Sequence, residues 1–170
     1  LFADLVARAL AGHAAVAVDC AGDVRVTGMS RPVAVADPFG GPPLHTFDLA
    51  DAAVATSGIG RRAWLTAAGR PAHHLLDPAT GEPAYTGIVQ VTAVAPTALE
   101  AEVRAKAALL AGPGGAAGWL PHGGVVVRDD GSAEVLALAA VGRHRVDDRV
   151  ARHQVQDVEA LAQLARLRVA

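Results

Sequence analysis

His73-His74-Leu75-Leu76-Asp77-Pro78-Ala79-Thr80-Gly81-Glu82-Pro83 joins a titratable pair to a stiff turn within one short stretch. The Asp77 side chain can bond the backbone two residues on. Pro78 presets φ at the second turn position, and Gly81 accepts the positive φ that other residues avoid. Such a turn would hold His74 in one place, and a positioned histidine is the usual proton carrier of a catalytic site. Spacing alone also fits a plain turn with two surface histidines.

The flanking sequence alternates strand and helix signals. Upstream, Ala3 to Leu10 reads as a short helix with Leu5, Val6, Ala9 and Leu10 towards one side, ended by Gly12. Ala14 to Asp19 and Val24 to Val26 flank the turn tripeptide Ala21-Gly22-Asp23, which predicts a hairpin presenting Asp23 at its tip. Val33 to Ala36 and Leu44 to Leu49 are further strands separated by the Pro- and Gly-rich loop Asp37 to Pro43, and Ala52 to Ala55 leads into a Thr56-Ser57-Gly58 loop. Downstream, Val89 to Ala95 is a strand broken by Pro96. Thr97 with Glu100 makes a capping box and Gly112-Pro113 a stop, so a helix is expected over Ala98–Ala111. Gly123 to Val127 and Ala133 to Leu138 flank Asp129-Asp130-Gly131 as a last hairpin, and His122-Gly123-Gly124 is expected to be only a turn. The expected class is α+β, or mixed layered α/β sheets with hairpins.

Composition narrows the function. The 170 residues, 52% hydrophobic, suffice for one domain with a core. A net charge of −2 and a pI near 6.4 give no basic field for nucleic acid. The single cysteine, Cys20, cannot form an internal disulfide and reads as a small buried hydrophobe. No apolar run reaches a membrane span, and Leu1-Phe2-Ala3-Asp4 does not begin a signal peptide. The missing initiator methionine is read as a start inside a longer reading frame, which leaves compartment and membrane association open. Beyond Ala140 the composition shifts to Arg, Asp, His and Gln. There Val158, Leu161, Leu164 and Leu167 predict an amphipathic terminal helix within 141–170.

The expected helix over Ala98–Ala111 carries two pairs four residues apart, Glu100 with Arg104 and Glu102 with Lys106. On a helical wheel Leu99, Val103 and Leu110 cluster within about 40°, Lys106 falls within about 20° of Leu99 and Glu102 about 60° from it. The second pair is therefore expected to face inward, where charges are costly unless paired or functional.

The stretch that opens at His74 resembles the His-(Ile/Leu)-(Ile/Leu)-Asp-Pro-x-Thr-Gly-x-Pro signature of the FAD:protein FMN transferase family, often called the ApbE family. Ala95-Pro96-Thr97 followed by Ala101-Glu102-Val103-Arg104-Ala105-Lys106-Ala107 is similar, without gaps, to that family's Ala-Pro-Thr and Ala-Asp-x-x-Ala-Thr-Ala segment. Thr56-Ser57-Gly58 with Arg61-Arg62 resembles its Thr-Ser-Gly loop, although Ile59-Gly60 stands where an acidic or aromatic residue is common. Ala21-Gly22-Asp23 stands for Gly-Gly-Asp, and Ala3-Asp4 resembles the segment after its Lys-Gly. The resemblance covers about residues 3 to 139 and the later portion of the family's length. It implies a transferase-like domain over 1–140, an unmatched segment 141–170, and a fold of two layered subdomains, shortened at the N-terminus, with FAD in the cleft between them.

The resemblance further implies a transferase that moves FMN from FAD to a threonine hydroxyl of an acceptor flavoprotein, releasing AMP. His74 would be the catalytic base or a phosphate contact. Gly22, Asp23, Thr56, Ser57, Gly58, Asp77 and Lys106 would shape the FAD site, Asp77 also fixing the turn that carries His74. In the family the positions of Glu102 and Lys106 carry an Asp and a Thr that bind the divalent cation. Glu102 can still ligate Mg²⁺, whereas the Lys106 ammonium has no lone pair to offer. Such residues leave three further readings open: hydrolysis of FAD to FMN and AMP, a non-catalytic flavin-binding module, and a fragment that does neither.

Overall fold

The computed structural model describes residues 1–136. The helix expected within 141–170, the boundary at 140 and the last two residues of the strand expected over Ala133 to Leu138 lie outside the described residues. Among the described residues ten strands and two α-helices form an α+β architecture: α1 (Phe2–Ala9), β1 (Val16–Cys20), β2 (Asp23–Thr27), β3 (Ser30–Val35), β4 (His45–Ala50), β5 (Ala53–Gly58), β6 (Ala63–Leu65), β7 (Pro71–His73), β8 (Ile88–Ala95), α2 (Ala98–Ala111), β9 (Gly124–Arg128) and β10 (Ala133–Leu136).

Six strands make one sheet in the order β1-β2-β5-β8-β9-β10, every neighbour antiparallel; β3 pairs with β4 and β6 with β7 as separate hairpins. The β1–β2 hairpin turns on Ala21 (φ 60°) and Gly22 (φ 101°), the positive pair that a two-residue turn needs to match strand twist. The Asp19 carboxylate accepts from the Gly22 amide at 2.9 Å; Asp23 is not at the tip as expected, because the turn needs only two residues and Asp23 pairs with Cys20 as the first residue of β2.

Alternation along β5 divides the core into two layers. Ala53 and Ala55 face the helices, packing with Ala3 of α1 and Ala98 and Ala101 of α2. Val54 faces the other way, where Val26, Val94, Val125 and Val127 are covered by Val35, Phe47 and Leu49 of the β3–β4 hairpin. Helices, sheet and hairpin therefore stack as three layers. Cys20 is half-buried against the α1 layer.

Both helices seat alanines on the sheet, and this corrects two expectations. On α1 the buried residues are Ala3 and Ala7, while Leu5 and Leu10 are exposed. On α2 they are Ala98, Ala101, Ala105, Ala108 and Leu109, and Val103 is exposed. Small side chains let a helix backbone approach the sheet closely, and here that contact outweighs the larger but sparser Leu and Val stripe. The bounds of α2 are as the capping box predicts, with Thr97 Oγ1 accepting from the Glu100 amide at 3.2 Å.

Candidate functional site

The signature turn is closed by its own backbone. Asp77 Oδ1 accepts from the Ala79 amide at 2.8 Å, and the Asp77 carbonyl accepts from Gly81 at 2.7 Å. The Asp77 amide donates to Glu82 O at 2.8 Å and the Ala84 amide to Leu75 O at 2.9 Å, while Leu76 and Pro83 form an antiparallel bridge. Gly81 takes φ 72°, as the turn requires. Leu75, buried among Ala105, Ala108 and Leu109, fastens the loop to α2. His74 directly precedes Leu75 and is exposed, so its ring is solvent-accessible on a backbone anchored to the helix.

Its neighbour behaves differently. His73 is 2% exposed, at the end of β7, so the pair is not two surface histidines. Its ring meets Tyr85 edge-on, centroids 4.8 Å apart at 79°, and neither ring nitrogen has a hydrogen-bond partner. Burial pushes its pKa below the ordinary histidine value and the adjacent His74 adds to this; the nearby Ala84 backbone opposes it. The burial of His73 leaves no signal in the sequence, because the β6–β7 pairing at whose end it lies is three residues long and carries no clear alternation.

Glu102 and Lys106 stand on α2, which packs against β2, the strand that Asp23 opens. Lys106 Nζ donates to Glu102 Oε1 at 3.3 Å, with Lys106 46% and Glu102 41% exposed. The pair therefore faces outward, contrary to the wheel, because the alanine face defines the buried side. The other pair is the more buried: Arg104 Nε meets Glu100 Oε1 at 2.8 Å, with His122 Nε2 3.9 Å from the same oxygen. Asp23 senses both members of the outward pair. Partial burial raises its carboxyl above the usual range, Glu102 and Asp19 add to this, and the Leu1 amino group and Lys106 pull it down.

The donor set does not suit Mg²⁺. An ammonium bonded to one of the carboxylates has no lone pair to offer and repels a cation. Among the described residues no cluster of three or more His, Cys, Asp or Glu could hold a metal ion.

Thr56, Ser57 and Gly58 are not a loop. They continue β5 and pair with Thr92, Val91 and Gln90 of β8. Strand alternation separates them: Thr56 and Gly58 line a groove of about 860 Å³ between β3 and the sheet, whereas Ser57 is buried. The Thr56 hydroxyl is already bonded to that of Thr92 at 2.8 Å. Gly22, Arg31 and Arg61 also line this groove, and a Cβ on Gly22 would lie 4.0 Å from Arg61 Nη1. Of the acids at its rim, Asp19 accepts from Gly22, and Asp37 from Phe39 at 2.9 Å and Gly41 at 3.1 Å. Their charge is thus partly engaged by their own turns, while the guanidiniums of Arg31 and Arg61 are exposed. The fold therefore gathers Gly22, Thr56 and Gly58 on the groove, Glu102 and Lys106 on α2 with Asp23 at the start of β2, and His74 and Asp77 on the signature loop.

A family model described as the ApbE family matches residues 1–127. Among solved structures the chain is similar to the ApbE protein of Thermotoga maritima, with 30% identity and a TM-score of 0.62 over 72% of this chain and 42% of that one. It is also similar to the flavinyl transferase ApbE of Pseudomonas stutzeri, at 22% identity and TM-score 0.61 over 78% of this chain and 45% of that one. The flavin transferase ApbE of Vibrio cholerae is similar at 21% and 0.59, over 79% and 47%. No curated protein matches the chain. The chain spans less than half the length of the solved structures it matches. With the family model covering most of its length, and with its signature turn, α2 segment and fold in agreement, the chain belongs to the ApbE family.

Proposed function

We infer that this chain contributes to transfer of FMN from FAD to a threonine hydroxyl of an acceptor flavoprotein, with release of AMP. The observation that carries this reading is the signature loop: it is closed on itself, fastened through Leu75 to α2, and holds an accessible His74 beside the helix that bears Glu102 and Lys106. Support also comes from the family and from the flavin transferases that share its fold.

In the proposed reaction the acceptor Thr Oγ attacks the phosphorus on the FMN side of the diphosphate. A new O–P bond forms, the bridging P–O bond breaks, and AMP departs with the electron pair. A ring nitrogen of His74 takes the hydroxyl proton as the bond forms. Lys106 offsets charge on the phosphates. Incubation of the chain with FAD and a threonine-bearing acceptor tests this: a mass gain of one FMN on the acceptor, with one AMP released, is the expected result. Exposure of His74 also favours a second reading in which water replaces threonine. AMP and free FMN formed at the same rate without acceptor would assign hydrolysis.

A further inference from the structure

We propose that the Lys106 ammonium, carried by Glu102, is the cation that meets the diphosphate of a bound dinucleotide, so that this chain takes FAD without a divalent metal. The proposal rests on the flavin reading above and specifies how the diphosphate is held. Lys106 Nζ lies 3.3 Å from Glu102 Oε1 and is nearly half exposed. An ammonium has three N–H donors; one is given to Glu102 and two stay available to phosphate oxygens. Glu102 holds Lys106 on α2, which packs against β2, the strand that Asp23 opens, and a Cβ on Gly22, the residue before Asp23, would lie 4.0 Å from Arg61 Nη1. Arg61 thus stands at the β1–β2 turn, and Lys106 offsets the charge of Glu102, to which it is bonded. A divalent ion placed beside Glu102 would meet the ammonium at close range and would find that carboxylate already bonded to it.

The test is titration of the full chain with FAD, followed by quenching of flavin fluorescence, in EDTA and in millimolar MgCl₂. Wild type is expected to bind equally in both. Lys106→Gln, a half-exposed position whose fold is checked by circular dichroism, is expected to bind about tenfold more weakly in EDTA, the loss of one charge-assisted phosphate contact. A wild type that binds at least tenfold tighter with Mg²⁺, or a K106Q variant that matches wild type in EDTA, overturns the proposal. FAD binding that requires Mg²⁺ removes only the role of Lys106 and leaves the transferase reading standing. No FAD binding in either buffer removes both.

Discussion

Asp4 and Arg25 approach to 3.8 Å, tying α1 to β2, while the same Asp4 carboxylate accepts from the Ala98 and Leu99 amides of α2 at 2.8 and 2.9 Å. One side chain thus caps a helix more than ninety residues away and pairs with a guanidinium that burial destabilises and Asp4 and Asp51 support. Replacing it by Ala leaves two orphan amides and a partly buried arginine supported only by Asp51 and its bond to the Val26 carbonyl. Asp4→Ala is expected to cost about 2 kcal/mol, the upper end for a lost N-cap. Urea denaturation measures it, and a loss below a few tenths would place the capping load on Thr97 alone.

His74→Ala should separate chemistry from stability. The ring is exposed, so the melting temperature should hold within experimental error. Transfer to the acceptor should fall by about 10²-fold or more, the ordinary contribution of a positioned general base. A folded variant with wild-type FMN transfer would exclude His74 as the base.

His73 gives the fold a pH dependence of definite sign. Its folded pKa is depressed below the ordinary value of 6.5 by burial, so the unfolded chain binds the proton more readily. Stability is therefore retained above about pH 6.5 and lost as pH falls through the unfolded pKa. His73→Phe keeps an aromatic edge on Tyr85 and removes both unpartnered nitrogens. Denaturation curves from pH 8 down to pH 5 should show the wild type losing stability relative to the variant. At pH 8 the variant should match it or exceed it by up to about 1 kcal/mol. Parallel curves would place the titration elsewhere.

Gly81 tests the stiffness of the signature turn. Its φ is 72°, and a Cβ there would meet nothing within 4 Å, so the cost of Gly81→Ala is conformational strain without a clash. Roughly 1 kcal/mol of destabilisation is expected. Because the Gly81 amide holds the Asp77 carbonyl at 2.7 Å, transfer should fall more than stability does, through a misplaced His74. Hydrogen exchange at Ala79 and Gly81 should rise in parallel.

Local chemistry was enough to read several elements. Pro96, the Thr97 cap and Gly112 bound α2 to the residue, and Ala21-Gly22 turns the first hairpin, because cap and turn geometry depend on neighbouring residues alone. The Asp77 turn formed as its residues predict for the same reason. Short strands were harder: β6 and β7 have three residues each and little alternation, and Thr56-Ser57-Gly58 looked like a loop although β8 draws it into the sheet. The inward face of α2 is not legible in its pattern, because hydrophobicity favours the Leu99, Val103 and Leu110 side, whereas packing distance favours the alanines.

The amino-acid sequence by itself determined the family signature, the stiff turn that carries His74, the limits of α2 and the four-residue spacing that pairs Glu102 with Lys106. Tertiary structure alone decided which of two adjacent histidines is buried, which pair on α2 faces solvent, and that Asp4 caps a helix far along the chain. Propensity, capping and turn chemistry act over a few residues and are written in order along the chain. Burial and charge environment depend on which elements meet across the sheet, a property of the whole packed fold.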